Sequence, residues 1–88
     1  MADAHVALPG GHTLEIDYSR ISGMEHLLYD DQTVSARRSL GSFSVHVFQV
    51  DEEDRRVTYE VNLYTGAGLG LGVGYVVRRD GIAVAHGP

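Results

Sequence analysis

The sequence predicts an all-β domain, an antiparallel β-sandwich or small barrel of about seven or eight short strands. Apolar and polar residues alternate with a period of two in several segments, which is typical of strands that bury one face. Turn-forming residues separate these segments at regular spacing, and no segment carries a convincing helical pattern. At 88 residues, the chain is expected to form one domain, residues 1–88, with a thin core.

The first half of the chain supplies four predicted strands. A short edge strand at His5–Leu8 precedes Thr13–Tyr18, where polar and apolar residues alternate. Met24–Tyr29 is an apolar run that suits either a strand or a helical turn. Its brevity and the turn signal Asp30–Gln32 that follows favour a strand. The chain then continues into a fourth strand, Thr33–Arg38.

A hairpin is predicted in the middle of the chain. Phe43–Val47 alternates between apolar and polar residues, and the phase breaks at Phe48–Val50, which predicts a bulge or a strand end. The acidic run Asp51–Asp54 predicts a polar, solvated tip. Arg55–Tyr64 has the clearest alternation in the sequence, and it places Tyr64 on the polar face of its strand.

From Gly66 to Gly74, glycine occupies every second position and small or aliphatic residues fill the gaps. In an extended strand this pattern leaves one face without side chains. The bare face can pack against a sheet or an aromatic ring, or it can form the floor of a ligand groove. Alternatively, the glycine run is a flexible loop. The strand runs on to Arg78, and the turn Asp80-Gly81 leads to a last strand, Ile82–Ala85. We predict that a partner or ligand contacts Tyr64, Gly66, Gly68, Gly70, Gly72, Gly74 and Tyr75.

Composition and charge narrow the function classes. The formal charge of −5 disfavours binding to a nucleic-acid backbone. The sequence contains no cysteine, so it offers neither disulfides nor thiolate metal ligands. No apolar run approaches the length of a membrane span, and the N-terminus lacks the features of a signal peptide. The expected location is the cytoplasm, with no membrane partner.

No motif for catalysis, metal binding or cofactor binding is predicted. The strict period of two in the glycine run excludes the usual nucleotide-binding glycine patterns. The five histidines lack metal-site spacing, and the acidic runs lack the spacing of a calcium loop. Serines near His46 in the sequence do not form a nucleophile motif. Three arginine pairs are expected to form salt bridges with the acidic turns or to recognise an acidic partner.

Short motifs resemble the Fas apoptosis inhibitory molecule family. They are Gly11–Asp17, Ser22-Gly23, Tyr29–Asp31 and Tyr75–Gly81, which match that family's strands and turns in order. The resemblance implies a compact β-sandwich without catalytic machinery, used for protein contacts. The chain departs from the family where Asp31-Gln32 replaces an Asp-Gly turn, in its glycine alternation, and in having one domain where two in tandem are typical.

The sequence therefore favours a non-enzymatic protein-interaction or self-association module, with another protein or a second copy of the chain as the partner. The alternative is a small-molecule binding or sequestering protein, in which arginines or histidines would hold an anionic group. No cofactor is expected in either case.

Overall fold

In a computed structural model, residues 3–39, 41–64 and 73–87 are described, and they form a β-sandwich of eight strands in two antiparallel sheets. Sheet A contains β1 (Ala4–Ala7), β2 (Thr13–Tyr18), β3 (Met24–Tyr29) and β4 (Gln32–Arg38). Sheet B contains β5 (Phe43–Glu52), β6 (Arg55–Tyr64), β7 (Gly74–Arg79) and β8 (Ile82–Gly87). This architecture confirms the predicted fold class, and the 24–29 segment is a strand.

Each sheet is a simple meander in which neighbouring strands are consecutive in the sequence. Three of the connections are two-residue turns, Asp30-Asp31, Glu53-Asp54 and Asp80-Gly81, and both residues of each turn have positive φ. Such turns match the right-handed twist of the strands they join. The one helix in the described part of the chain is the short 3₁₀ helix Pro9–Gly11, so no helix there is long and apolar enough to cross a membrane.

The core lies between the two sheets. In the central strands β2 and β3, alternate residues point into it, as the period of two requires. Fully buried aliphatic side chains come from the central strands of both sheets: Leu14, Ile16, Leu27, Val57, Val61, Leu63 and Val77. Aromatic rings fill one end, where the ring centroids of Tyr59 and Phe48 lie 5.4 Å apart and that of Tyr29 lies 5.8 Å from that of Tyr59.

Strand β5 differs from its prediction. Its pairing with β6 is unbroken from Phe43 to Glu52, so the predicted phase break at 48–50 is wrong and the turn contains only two residues. The β5 side chains that face the core begin with Ser44 and His46 and end with Glu52, whereas Val47 faces solvent. Polar groups occupy the inner face because each finds a hydrogen-bond partner there, which overrides the usual rule that apolar residues point inward.

The two sheets repeat one arrangement. Asp30 and Asp80 occupy equivalent turns, and each carboxylate accepts a hydrogen bond from the backbone N–H of a threonine, Thr13 of β2 or Thr58 of β6. Each threonine immediately precedes the first residue that pairs with the next strand. A register shift follows at the same distance from the turn, between Leu27 and Leu28 in β3 and between Val77 and Arg78 in β7. The aspartate turns, the threonines that bond to them and the shifted pairings β3–β4 and β7–β8 are therefore equivalent in the two sheets.

Candidate functional site

An apolar patch lies on the outer face of sheet B. Phe43 and Tyr64 are directly paired across β5 and β6, with ring centroids 5.2 Å apart. Their side chains are 53% and 48% exposed, and Val47 on the same face of β5 is 60% exposed. We call Phe43, Val45, Val47, Tyr64 and Gly74 the sheet B patch. Exposed apolar clusters that contain aromatic rings are typical of protein-binding surfaces.

Gly74 lies beside the Tyr64 side chain. It pairs directly with Tyr64 across β6 and β7, and a Cβ built on Gly74 would lie 3.6 Å from the Cβ of Tyr64 and 3.8 Å from its Cδ2. The bare backbone of Gly74 therefore flanks one side of Tyr64, and Phe43 flanks the other. At Gly74, the last glycine of the run, packing against an aromatic ring is thus the arrangement found, one of the three alternatives for the glycine face.

No charged residue belongs to the sheet B patch. The carbonyl of Val45 accepts a hydrogen bond from the Arg37 guanidinium, 3.1 Å away, at the border with sheet A. Glu60, which is paired directly with Val47 across β5 and β6, forms an ion pair with Arg78 at 3.7 Å. The members of the patch are thus uncharged, and charged side chains border them.

A polar cluster surrounds the buried carboxylate of Glu52. It closes the end of the sandwich opposite the sheet B patch. Glu52 Oε2 accepts hydrogen bonds from the hydroxyls of Tyr29 and Tyr59, the latter at 2.7 Å. Its Oε1 accepts two from Arg79, at 3.0 Å from Nε and 2.8 Å from Nη2. Glu52 therefore links residues from both sheets, although the sequence analysis assigned it to a solvated tip.

Hydrogen bonding sets the charge states in this cluster. Burial raises the pKa of Glu52, but the hydrogen bonds from Tyr29, Tyr59 and Arg79 outweigh it, so this pKa lies below its usual range. Burial, followed by the hydrogen bond to Glu52, raises the pKa of Tyr29 and of Tyr59. Both tyrosines therefore stay protonated and donate to an ionised carboxylate across the neutral range.

A cleft of about 210 Å³ opens beside this cluster. It is lined by Pro9, Gly10, His12, Glu52, Glu53 and Arg79. The hydrogen bond to Asp30, at 2.7 Å, raises the pKa of His12 and lowers that of Asp30. Three carboxylates in or beside the cleft thus face one guanidinium and one imidazole, a balance that disfavours an anionic ligand. Small-molecule binding stays a prediction.

Another polar cluster links the two sheets between the sheet B patch and the Glu52 cluster. His46 of β5 contacts Glu25 Oε1 through Nε2 at 2.8 Å and Ser35 Oγ through Nδ1 at 2.7 Å, and Ser44 donates to the same carboxylate oxygen. Although the order Ser–His–Glu is that of a catalytic relay, the side chains of His46 and Glu25 have no solvent exposure. We interpret the cluster as a structural link between the sheets.

The structure separates the predicted contact residues. Tyr64 is exposed and lies beside Gly74, whereas Tyr75 is half-buried, packs against the core, and covers Gly87 on β8. Strand β7 lies between β6 and β8, so the part of the glycine run that it contains is not at a sheet edge. The remaining predicted contacts, Gly66, Gly68, Gly70 and Gly72, lie outside the described residues.

No protein-family model matches this chain, and searches of curated proteins and of solved structures return no significant match. The resemblance to the Fas apoptosis inhibitory molecule family therefore stays a prediction. Among the described residues, no group of three histidine or acidic side chains is arranged to hold a metal ion. The arguments for function below rest on the geometry of this chain.

Proposed function

We propose that this domain is a non-enzymatic protein-interaction module that self-associates through the sheet B patch. The observation that carries the proposal is the Phe43–Tyr64 pair, two neighbouring aromatic rings that are each about half exposed on a regular sheet face. Aromatic side chains bury a large area with little loss of conformational entropy, and they dominate the binding energy of many interfaces.

The charge distribution favours a second copy as the partner. Most of the surface of a chain with a net charge of −5 repels another copy of itself. The members of the sheet B patch are uncharged, and the carboxylate beside them, Glu60, is compensated by its ion pair with Arg78. A second copy therefore meets no uncompensated like charge from these residues.

The test is the oligomeric state of variants at the patch. We expect the wild-type domain to associate reversibly as its concentration rises in sedimentation equilibrium. Phe43→Ser combined with Tyr64→Ser should weaken association by roughly 30-fold or more, the effect of removing an interface hot spot worth about 2 kcal/mol. Both side chains are about half exposed, so the variant should keep the circular dichroism spectrum of the wild type with only a small loss of thermal stability.

Ile21→Ser is the matched control, because Ile21 is fully exposed in the loop between β2 and β3 and does not belong to the sheet B patch. This variant should associate like the wild type. A wild-type domain that stays monomeric up to the highest attainable concentration would contradict self-association. Equal association by the double variant and the wild type would instead exclude the sheet B patch.

A further inference from the structure

An aspartate in a two-residue turn joins that turn to the neighbouring strand in each sheet, and the two arrangements share the same hydrogen bonds. In sheet A, the backbone N–H of Asp30 donates to the Thr13 carbonyl at 3.0 Å, and the Thr13 N–H donates to Asp30 Oδ1 at 2.9 Å. In sheet B, the corresponding distances between Asp80 and Thr58 are 2.8 and 3.0 Å. We call these pairs the Asp30 clamp and the Asp80 clamp.

The two clamps differ in the side chain that contacts the second carboxylate oxygen. Asp80 Oδ2 accepts a hydrogen bond from Arg55 Nη2 at 2.6 Å, whereas Asp30 Oδ2 lies 2.7 Å from Nδ1 of His12. A guanidinium stays charged throughout the physiological pH range. An imidazole changes its charge between about pH 5 and pH 8. The structure therefore places a permanent cation at one clamp and a titratable group at the other.

The surroundings of His12 favour its protonated form. The hydrogen bond to Asp30 is the largest cause of its raised pKa; burial opposes the rise, and the charges of Glu52 and Glu53 add to it. The cation that lines the same cleft, Arg79, is paired with Glu52. Because the folded-state pKa of His12 lies above the reference value of 6.5, its charge stabilises the clamp fully below that pH. This contribution is lost as pH rises through the folded-state pKa.

We propose that the Asp30 clamp is a pH-sensitive device that weakens when His12 loses its proton, while the Asp80 clamp stays unchanged. A neutral imidazole can still donate a hydrogen bond from Nδ1, but it lacks the charge that strengthens a bond to a carboxylate. The His12 ring also stacks on the uncharged Tyr29 ring, with centroids 5.2 Å apart, and lines the cleft beside Glu52. Weakening of the clamp therefore loosens one wall of this cleft as pH rises.

Amide exchange in the wild-type domain tests the proposal, because the Asp80 clamp is an internal control in the same sample. Solvent exchange measured by nuclear magnetic resonance gives the opening equilibria of the Thr13 and Thr58 amides, each corrected for its intrinsic exchange rate. Between about pH 5.5 and about pH 8.5, opening at Thr13 should increase roughly two- to fivefold relative to Thr58, the size expected for a partly exposed ion pair. The midpoint should match the titration of the His12 imidazole signals. A constant ratio would overturn the proposal.

Asp30→Asn removes the charge of the clamp and keeps an oxygen that can accept from the Thr13 N–H. Asparagine also tolerates the positive φ of 48° at this position. In this variant the His12 midpoint should fall, and the ratio of Thr13 to Thr58 opening should no longer change with pH. Asp80→Asn is the matched control, which should loosen Thr58 and leave the His12 titration unchanged. An unchanged His12 midpoint in Asp30→Asn would contradict the proposal. Neither clamp includes a residue of the sheet B patch, so these outcomes are independent of self-association.

Discussion

At the residue scale, the side chains that matter most in this fold are polar groups with partners distant in sequence. Glu52 contacts Tyr29, Tyr59 and Arg79, which come from three other strands. Glu52 faces inward because it lies an even number of residues after Ser44 and His46 on the same strand. Alternation along β5 could therefore have predicted its position. Its partners were not predictable, because sequence spacing does not show which side chains from two sheets meet.

Glu52→Gln should lower the free energy of unfolding by about 2–3 kcal/mol at neutral pH, because hydrogen bonds to charged groups are lost. The folded-state pKa of Glu52 lies below its reference value of 4.5. Its stabilisation is therefore complete above that pH and disappears as pH falls through the folded-state value. Urea unfolding across acidic pH should show the wild-type and variant stabilities converging as pH falls.

Glu53→Gln is the control for this experiment, since Glu53 is an exposed neighbour in the same turn. It should unfold like the wild type at every pH. A constant difference between wild type and Glu52→Gln, from neutral pH down to well below pH 4.5, would show that ionised Glu52 does not stabilise the fold.

At the element scale, the strands and hairpins were predictable from the sequence, but the inner face of β5 and the internal repeat were not. Alternation located the strands, and the Asp-Gly turn at 80–81 was predicted from its dipeptide. The inner face of β5 was harder, because buried serine and histidine imitate an outer face. The internal repeat had a visible signal, Thr13–Tyr18 and Thr58–Leu63, both with the pattern threonine, apolar, glutamate, aliphatic, Asp or Asn, apolar. The matching turns and register shifts in the structure are what identify this sequence pattern as a structural repeat.

Two glycines of sheet B should respond differently to the same change. A Cβ on Gly87 would come within 2.5–2.7 Å of the Tyr75 ring, whereas a Cβ on Gly74 meets nothing closer than 3.5 Å. Gly87→Ala should therefore displace the ring and destabilise the domain by about 1–2 kcal/mol, as overpacking does. Gly74→Ala should leave stability unchanged or raise it slightly, since alanine suits a strand better than glycine. Urea unfolding of the two variants gives the comparison, and equal losses would argue against it.

At the scale of the whole molecule, the class of fold was predictable and the arrangement of surfaces was not. Strand number and antiparallel pairing follow from alternation and turns. The sheet B patch depends on Phe43 and Val47 facing outward, which is evident only once Ser44, His46 and Glu52 are seen to occupy the inner face. Tyr64 was the one predicted contact residue whose exposure followed directly from its place in the alternation.

The central claim is that copies of this domain meet through the sheet B patch. Nuclear magnetic resonance spectra of the isotope-labelled domain, recorded as its concentration rises, test it residue by residue. We predict that the amide signals of Phe43, Val47 and Tyr64 shift together. Signals around Glu52, at the far end of the sandwich, should stay constant. Spectra that do not change with concentration, or shifts confined to other surfaces, would contradict the account.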